Sequence, residues 1–204
     1  YMRQEMDGDE ALLAKTTPPY PPYGKRMLRD NNWYRMLTRP NVDLVTEPIR
    51  RMTPTGIETE DGEERQFDAI VLATGFQTER MLGPLGETVA NGAGDALRDS
   101  WNGDDPRAHL GVMTLGFPNL FMLYGPGTNL ALGWSIIFHF ECQIRYIMQA
   151  LRAQLEGGHV RMEVRREPHD AYNAKLDAEH RKMVWAHPGV NNWYKNAAGR
   201  VFAN

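Results

Sequence analysis

Lys25 and Arg26 are adjacent cations that follow the proline-rich run TTPPYPPYG, Thr16 to Gly24, and precede the aromatic pair Trp33-Tyr34. Lysine suits a phosphate as a point charge, and the planar, permanently charged guanidinium of arginine suits a planar or anionic reacting group. Paired basic residues are also an ordinary solvated surface feature, so the pair alone leaves both readings open. A second candidate is Gly125-Pro126-Gly127-Thr128-Asn129, which lies between an apolar run and a long helical pattern. The free N–H groups that open such a helix favour an anion or a developing negative charge, although the same residues suit a plain chain turn. The third is DAIVLATGF, Asp68 to Phe76, where Thr74 and Gly75 allow backbone to approach a ligand or a neighbouring domain; an ordinary strand end reads the same way.

Other chemistries fit poorly. The six histidines show no HExxH spacing and have no cysteine partners, so no metal site is expected. Ser135, in Gly133-Trp134-Ser135-Ile136-Ile137, lacks the second glycine of a nucleophile elbow. Glu58, Glu60, Asp61, Glu63 and Glu64 flank a turn and read as a solvated edge. The net charge of -3, with basic residues scattered among acidic ones, argues against a nucleic-acid partner. The most apolar stretch, Leu115 to Phe140, is broken by glycines and prolines and cannot be an uninterrupted membrane helix. The single cysteine, Cys142, cannot form an internal disulfide, and a cytoplasmic location is expected.

Positioning these candidates requires a mixed set of elements. Asp30 or Asn31 can cap a short helix over Trp33 to Leu37, ended by Pro40, and Val42 to Thr46 reads as a strand. A hairpin follows: Gly56 to Glu60, an Asp61-Gly62 turn with both residues expected at positive φ, and a second strand from Glu63. The unbroken apolar run Ala69 to Ala73 predicts a strand buried on both faces, as in parallel sheets. Thr78 to Asp105 reads as loop with a helical turn, and Leu110 to Leu115 and Leu120 to Tyr124 as strands. An amphipathic helix is predicted from Ser135 to Leu155, with Ile136, Ile137, Phe140, Ile144, Ile147, Met148 and Leu151 on one side and Gly157-Gly158 as its stop. Val160 to Val164 reads as a strand and Pro168 to Trp185 as a helix.

In order, PPYPPYGKRMLRDNNWY, RPNVDLV, GIETEDG, FDAIVLATGF, LGFPNLFMLYGPGTNL, SIIFHFECQIRYI and NNWYKNAAGR resemble the latter part of Baeyer-Villiger monooxygenases, most closely the hydroxyacetophenone monooxygenase branch. The resemblance runs from about Pro18 to the end. It implies an α/β fold made of the C-terminal portions of two interleaved Rossmann-like dinucleotide-binding domains, incomplete on their own: residues 1–75 for NADP and 76–204 for FAD. It further implies a parent enzyme that uses NADPH and O2 to convert ketones, aryl ketones among them, to esters through a C4a-peroxyflavin.

By the same resemblance, Lys25 meets the 2′-phosphate of NADPH and Arg26 is the catalytic arginine. Thr74 and Gly75 lie near both cofactors, Gly125, Pro126, Thr128 and Asn129 line the flavin end, Leu130 to Leu132 border the substrate, and Trp193 reaches the nicotinamide cofactor. One departure stands out: no GxGxxG followed by a helix occurs, since Gly92-Ala93-Gly94 lacks its third glycine. The expected partner is therefore a missing N-terminal part of the same protein, with a homodimer as an option, and the chain alone is expected to be inactive. Another two-dinucleotide flavoprotein, such as an N-hydroxylating monooxygenase, or an inert domain derived from one, are the alternatives.

Overall fold

A computed structural model describes residues 1–75, 82–130 and 135–202. The chain divides into two units, Tyr1–Pro19 with Met27–Phe76 and Tyr20–Arg26 with Gln77–Asn204. No described helix is long and apolar enough to cross a membrane.

The first unit contains α1 (Met2–Glu5), α2 (Glu10–Thr16), α3 (Trp33–Leu37) and a three-stranded antiparallel sheet of β1 (Ile49–Met52), β2 (Gly56–Thr59) and β3 (Glu64–Gln66). Asp9 caps α2, its Oδ1 accepting from the Leu12 N–H at 2.9 Å. At α3 the capping position is Asn32, at φ 64°, but the capping oxygen belongs to Asp30, which accepts from the Trp33 N–H at 2.7 Å. Met6 and Leu37 supply the buried apolar residues of this unit. Arg50 and Arg51 on β1 both donate to the Glu58 carboxylate on β2, at 2.9 and 2.7 Å. Those bonds, the one from Arg51 foremost, hold the Glu58 carboxyl below its ordinary range.

Three expectations fail in this unit. The hairpin forms, but only Gly62 of the Asp61-Gly62 pair has positive φ, at 86°. Thr59 and Glu63 close the loop through the Thr59 N–H to Glu63 carbonyl bond at 3.0 Å, so three residues, Glu60 to Gly62, lie inside the closing pair and a single left-handed glycine suffices. Val42 to Thr46 forms no strand; it runs along an 870 Å³ cleft that Leu12, Leu37 and Arg65 also line. Ala69 to Ala73 forms no strand either, with Val71 89% and Leu72 69% exposed. A strand exists only by pairing, and no described segment offers this run a ladder.

The second unit contains α4 (Leu85–Thr88), α5 (Leu97–Ser100), α6 (Ile136–Glu156), α7 (Arg166–His180) and a 3₁₀ turn at Val184–Ala186. Its core joins Leu97, Trp101, Ala108, Phe117 and Met122, and a second cluster joins Tyr194, Val201 and Phe202. Leu110 to Leu115 is mostly turn and Leu120 to Tyr124 is irregular chain ending in a bend, and neither is a strand. Leu110, Gly111, Gly116 and Tyr124 all take positive φ, which breaks an extended path, and only a His109–Met113 bridge remains. Val160 to Val164 is likewise not a strand, being held by the Asn119 N–H to Met162 carbonyl bond at 2.9 Å on one side.

The long helix forms where its local signals place it. Ser135 Oγ accepts from the Phe138 N–H at 3.3 Å, and Gly157 caps the other end. Helix α7 ends at His180, earlier than the expected Trp185. Arg107 and Arg200 cross-link α7 to the segment that follows α5: Arg107 Nη1 lies 2.9 Å from Asp177 Oδ2 and Arg200 Nη1 lies 3.2 Å from Asp177 Oδ1, and both arginines also bond Asp105. Burial alone would lower the Arg107 pKa, but Asp177 and Asp105 outweigh it and push the group up.

Candidate functional site

The loop that carries Lys25 and Arg26 is anchored to the C-terminal tail. A bond from the Gly24 N–H to the Pro21 carbonyl at 3.1 Å turns it, and Asn192 Nδ2 donates to the Gly24 carbonyl at 3.0 Å. Glycine is required at 24 because a Cβ there would sit 2.8 Å from Val190 Cγ2 and 3.0 Å from the Pro21 carbonyl oxygen. Asn192 also donates to the Trp185 carbonyl at 3.3 Å and accepts from the Tyr194 N–H at 3.0 Å, so one amide ties loop, tail and 3₁₀ turn together.

From this anchor Lys25 and Arg26 project outward, both exposed, and neither pairs with a carboxylate among the described residues. Lys25 Nζ lies 4.9 Å over the Tyr20 ring, and Arg26 Nη1 donates to the Leu130 carbonyl at 3.4 Å. Arg26 thus touches the residue that directly follows the glycine turn 125–129.

That turn is a braced structure. The Gly125 N–H donates to the Gly111 carbonyl at 3.2 Å, the Gly127 N–H to the Phe202 carbonyl at 2.9 Å, and Thr128 Oγ1 to the Gly125 carbonyl at 2.7 Å. A Cβ at Gly125 would meet the Gly111 carbonyl oxygen at 2.3 Å, so backbone packs on backbone. The Tyr124 hydroxyl donates to Asn129 Oδ1, and its ring packs edge-on against Phe140 at 5.6 Å between centroids. Two of the turn's N–H groups are therefore spent on bracing. The first helical N–H groups, those of Ile136 and Ile137, precede the α6 ladder and take no acceptor from within the helix.

Lys25, Arg26, Gly125, Pro126, Thr128, Asn129 and Trp193 all belong to the second unit, whereas Thr74 and Gly75 belong to the first. Trp193 is 40% exposed, its ring 4.1 Å from that of Tyr194 in the tail that anchors the Lys25-Arg26 loop. Thr74 and Gly75 are exposed, with Gly75 at φ 85°. Ala131 and Leu132, expected beside a substrate, lie outside the described residues.

Sequence reasoning overlooked Asn192 and Gln143. Gln143 is buried, accepts from the Tyr124 N–H at 2.9 Å and donates to the Leu110 carbonyl at 3.2 Å. A signal was present: Gln143 lies three residues after Phe140 and four before Ile147, so it is a polar residue inside an apolar stripe.

No protein-family model matches the chain. The chain is 41% identical over 204 residues to an uncharacterized monooxygenase of Sinorhizobium fredii, spanning 100% of itself and 30% of that protein. It is 37% identical over 186 residues to a Baeyer-Villiger monooxygenase of Pseudomonas aeruginosa, 91% of the chain and 34% of that protein. Among solved structures, OTEMO in complex with FAD and NADP matches with a TM-score of 0.84 at 26% identity, over 98% of this chain and 37% of that one. The chain is similar to part of a Baeyer-Villiger monooxygenase. It spans about a third of the length of the curated relatives it matches, and those relatives are monooxygenases.

Proposed function

We propose that this chain is the C-terminal part of a flavin-dependent monooxygenase that uses NADPH and O2 to convert ketones to esters, with aryl ketones as substrates in the manner of the hydroxyacetophenone branch. The observation that carries the reading is the bond from Arg26 Nη1 to the Leu130 carbonyl, which sets an unpaired guanidinium at the exit of the glycine turn. Similarity to monooxygenases over the whole chain supports it, as does the fold match to a structure that holds both FAD and NADP. Residues 1–75 belong to the NADP-binding domain in this reading and residues 76–204 to the FAD-binding domain.

The donor set suits the two cofactors. Lys25, exposed and free of carboxylates among the described residues, can hold the 2′-phosphate of NADPH. Gly125, Pro126, Thr128 and Asn129 form the wall beside the flavin, where the start of α6 favours negative charge, Thr74 and Gly75 lie by the cofactors, and Trp193 covers the nicotinamide cofactor. FAD, when bound, supplies the redox chemistry that takes electrons from NADPH and activates O2. Arg26 holds its guanidinium beside the reacting carbonyl and stabilises the oxyanion that forms there. Its contact with Leu130 engages one nitrogen and leaves the rest of the fork for the reacting group. In this reading the phosphate cradles for both cofactors belong to the rest of the parent protein, since the chain spans about a third of the length of its relatives.

Arg26→Ala in the full-length enzyme tests this reading. Ester formation from an acetophenone should fall by about a hundredfold or more while NADPH still reduces the flavin. Undiminished ester formation would refute the role of Arg26. Lys25→Ala should raise KM for NADPH and leave that for NADH nearly constant.

A further inference from the structure

Helix α6 presents an unusual balance of contacts. Ile137, Phe138, Ile144 and Met148 on this helix are 45–63% exposed, while its one buried residue is Gln143, 5% exposed. Apolar packing within the chain therefore does little to fix the rotation or height of the helix against the turns beside it. Beside the Phe140 ring on Tyr124 and the Gln154 Nε2 bond to Asn119 Oδ1 at 3.0 Å farther along the helix, the Gln143 amide supplies the direct grip on the turns. Its Oε1 accepts from the Tyr124 N–H at 2.9 Å and its Nε2 donates to the Leu110 carbonyl at 3.2 Å, so one side chain grips both turns.

The two gripped segments are already locked to each other by the Gly125 N–H to Gly111 carbonyl bond at 3.2 Å and the Met122 N–H to Val112 carbonyl bond at 2.9 Å. They form a rigid double turn, and Gln143 is the bolt between it and α6. A side chain with one donor and one acceptor at its tip satisfies both backbone groups; any apolar replacement removes the partner of the Tyr124 N–H and of the Leu110 carbonyl, both in part-buried bonds. The double turn continues through Asn129 to Leu130, where Arg26 makes its backbone contact. A tilt of the turn displaces the Leu130 carbonyl and, with it, the guanidinium.

We propose that Gln143 is the positioning residue that sets the glycine turn relative to Arg26, and through it the coupling of NADPH consumption to oxygen insertion; this rests on the reading given under Proposed function. The coupled reaction is NADPH + H⁺ + O2 + ketone → NADP⁺ + ester + H2O. With Arg26 misplaced, the same two electrons leave as hydrogen peroxide: NADPH + H⁺ + O2 → NADP⁺ + H2O2. Small displacements of a group that stabilises a transition state suffice for large losses in rate.

The test uses the full-length holoprotein with Gln143→Leu and Gln143→Glu, and two readouts: amide hydrogen exchange at 124–128, and the ratio of ester formed to NADPH consumed. For Gln143→Leu, exchange at the Tyr124 amide should rise roughly tenfold, as expected for loss of one part-buried bond, with the hairpin 56–66 unchanged. The ester-to-NADPH ratio should fall several-fold, with peroxide making up the difference. Gln143→Glu should show the same defect at about pH 8, when the carboxylate faces the Leu110 carbonyl, and should recover as the pH falls and the buried carboxyl again offers one donor and one acceptor. That recovery carries the test if the leucine variant does not fold.

Unchanged exchange at the Tyr124 amide in the leucine variant overturns the clamp. Raised exchange with an unchanged ratio, or a glutamate variant whose ratio does not recover at low pH, overturns the positioning role. Wild-type enzyme that forms no ester at all overturns the proposal through the reading it rests on, and the exchange result then still reports separately on the clamp.

Discussion

The glycine turn 125–129 and the segment Thr74–Gly75 are the two places where small residues follow an apolar run, and they end up in opposite surroundings. Gly125, Pro126 and Thr128 are buried, and the turn is braced by Gly111, by Phe202 and by the Gln143 amide through Tyr124. Thr74 and Gly75 are exposed, and a Cβ built on Gly75 meets nothing within 4 Å. The difference lies behind the residues. In the second unit Met122, a member of the core with Leu97, Trp101, Ala108 and Phe117, lies against Gly125, its Cβ 3.3 Å from where a Gly125 Cβ would sit, whereas Val71 and Leu72, just before Thr74, are exposed. A run of small residues permits close approach; neighbouring backbone has to be there to make use of it.

The same contrast appears in the charge clusters, and it yields the largest expected effect. Arg200, with its side chain 16% exposed, bonds Asp105 and Asp177 and donates to the Pro106 carbonyl at 2.7 Å. Arg200→Ala leaves the two partly buried carboxylates with Arg107 alone between them and removes the donor to the Pro106 carbonyl, and should cost about 3 kcal/mol. Arg50→Ala in the first unit leaves Glu58 with its second partner, Arg51, at a surface where Arg50 is 58% exposed, and should move the urea midpoint far less. Equal shifts for the two variants would break the comparison.

A direct challenge to the two glycines comes next in size. Gly125→Ala drives a Cβ into the Gly111 carbonyl oxygen and should cost about 2–3 kcal/mol. Gly75→Ala meets open space and bears only the penalty of positive φ, about 1 kcal/mol. Urea denaturation of both variants reads the difference, and a Gly75 variant as damaged as the Gly125 variant would show that the segment packs closely.

The smallest expected effect separates the units by pH. All six histidines lie in the second unit. Burial lowers the pKa of His180 and of His109 from the ordinary 6.5. A histidine that stays neutral in the folded state adds stability that is complete above its unfolded value and fades as the pH drops below about 6.5. In the first unit the groups held low are carboxylates: Glu58 chiefly by its Arg51 hydrogen bond, and Asp61 chiefly by its Thr59 hydrogen bond. Their contribution persists to more acid conditions and is lost as the pH falls through their folded values. On acidification the second unit should loosen first, seen as faster amide exchange after correction for intrinsic rates. His180→Gln, which keeps a donor for the Val201 carbonyl but cannot titrate, should reduce that step.

What could be read from sequence was what local chemistry sets. Ser135 and Gly157-Gly158 bound α6 because an N-cap oxygen and a helix-stopping glycine act within a few residues of themselves. Asp30 supplies the capping bond at α3, and the hairpin forms around Gly62, for the same reason. Lys25, Arg26 and the glycine turn stood out by residue type and order.

The tertiary structure alone decided the rest, because it depends on partners distant in sequence. Ala69 to Ala73 has strand chemistry and no strand, since pairing, not propensity, makes one. Leu110 to Leu115 and Leu120 to Tyr124 have strand chemistry too, yet left-handed residues and the Gly111–Gly125 contact fold them into interlocked turns. Gln143 shows in the sequence only as a polar break in an apolar stripe, not which groups it grips, and the anchoring of Gly24 by Asn192 across 168 residues and the meeting of Arg26 with Leu130 across 104 leave no periodic trace, because each joins points that only the folded path brings together.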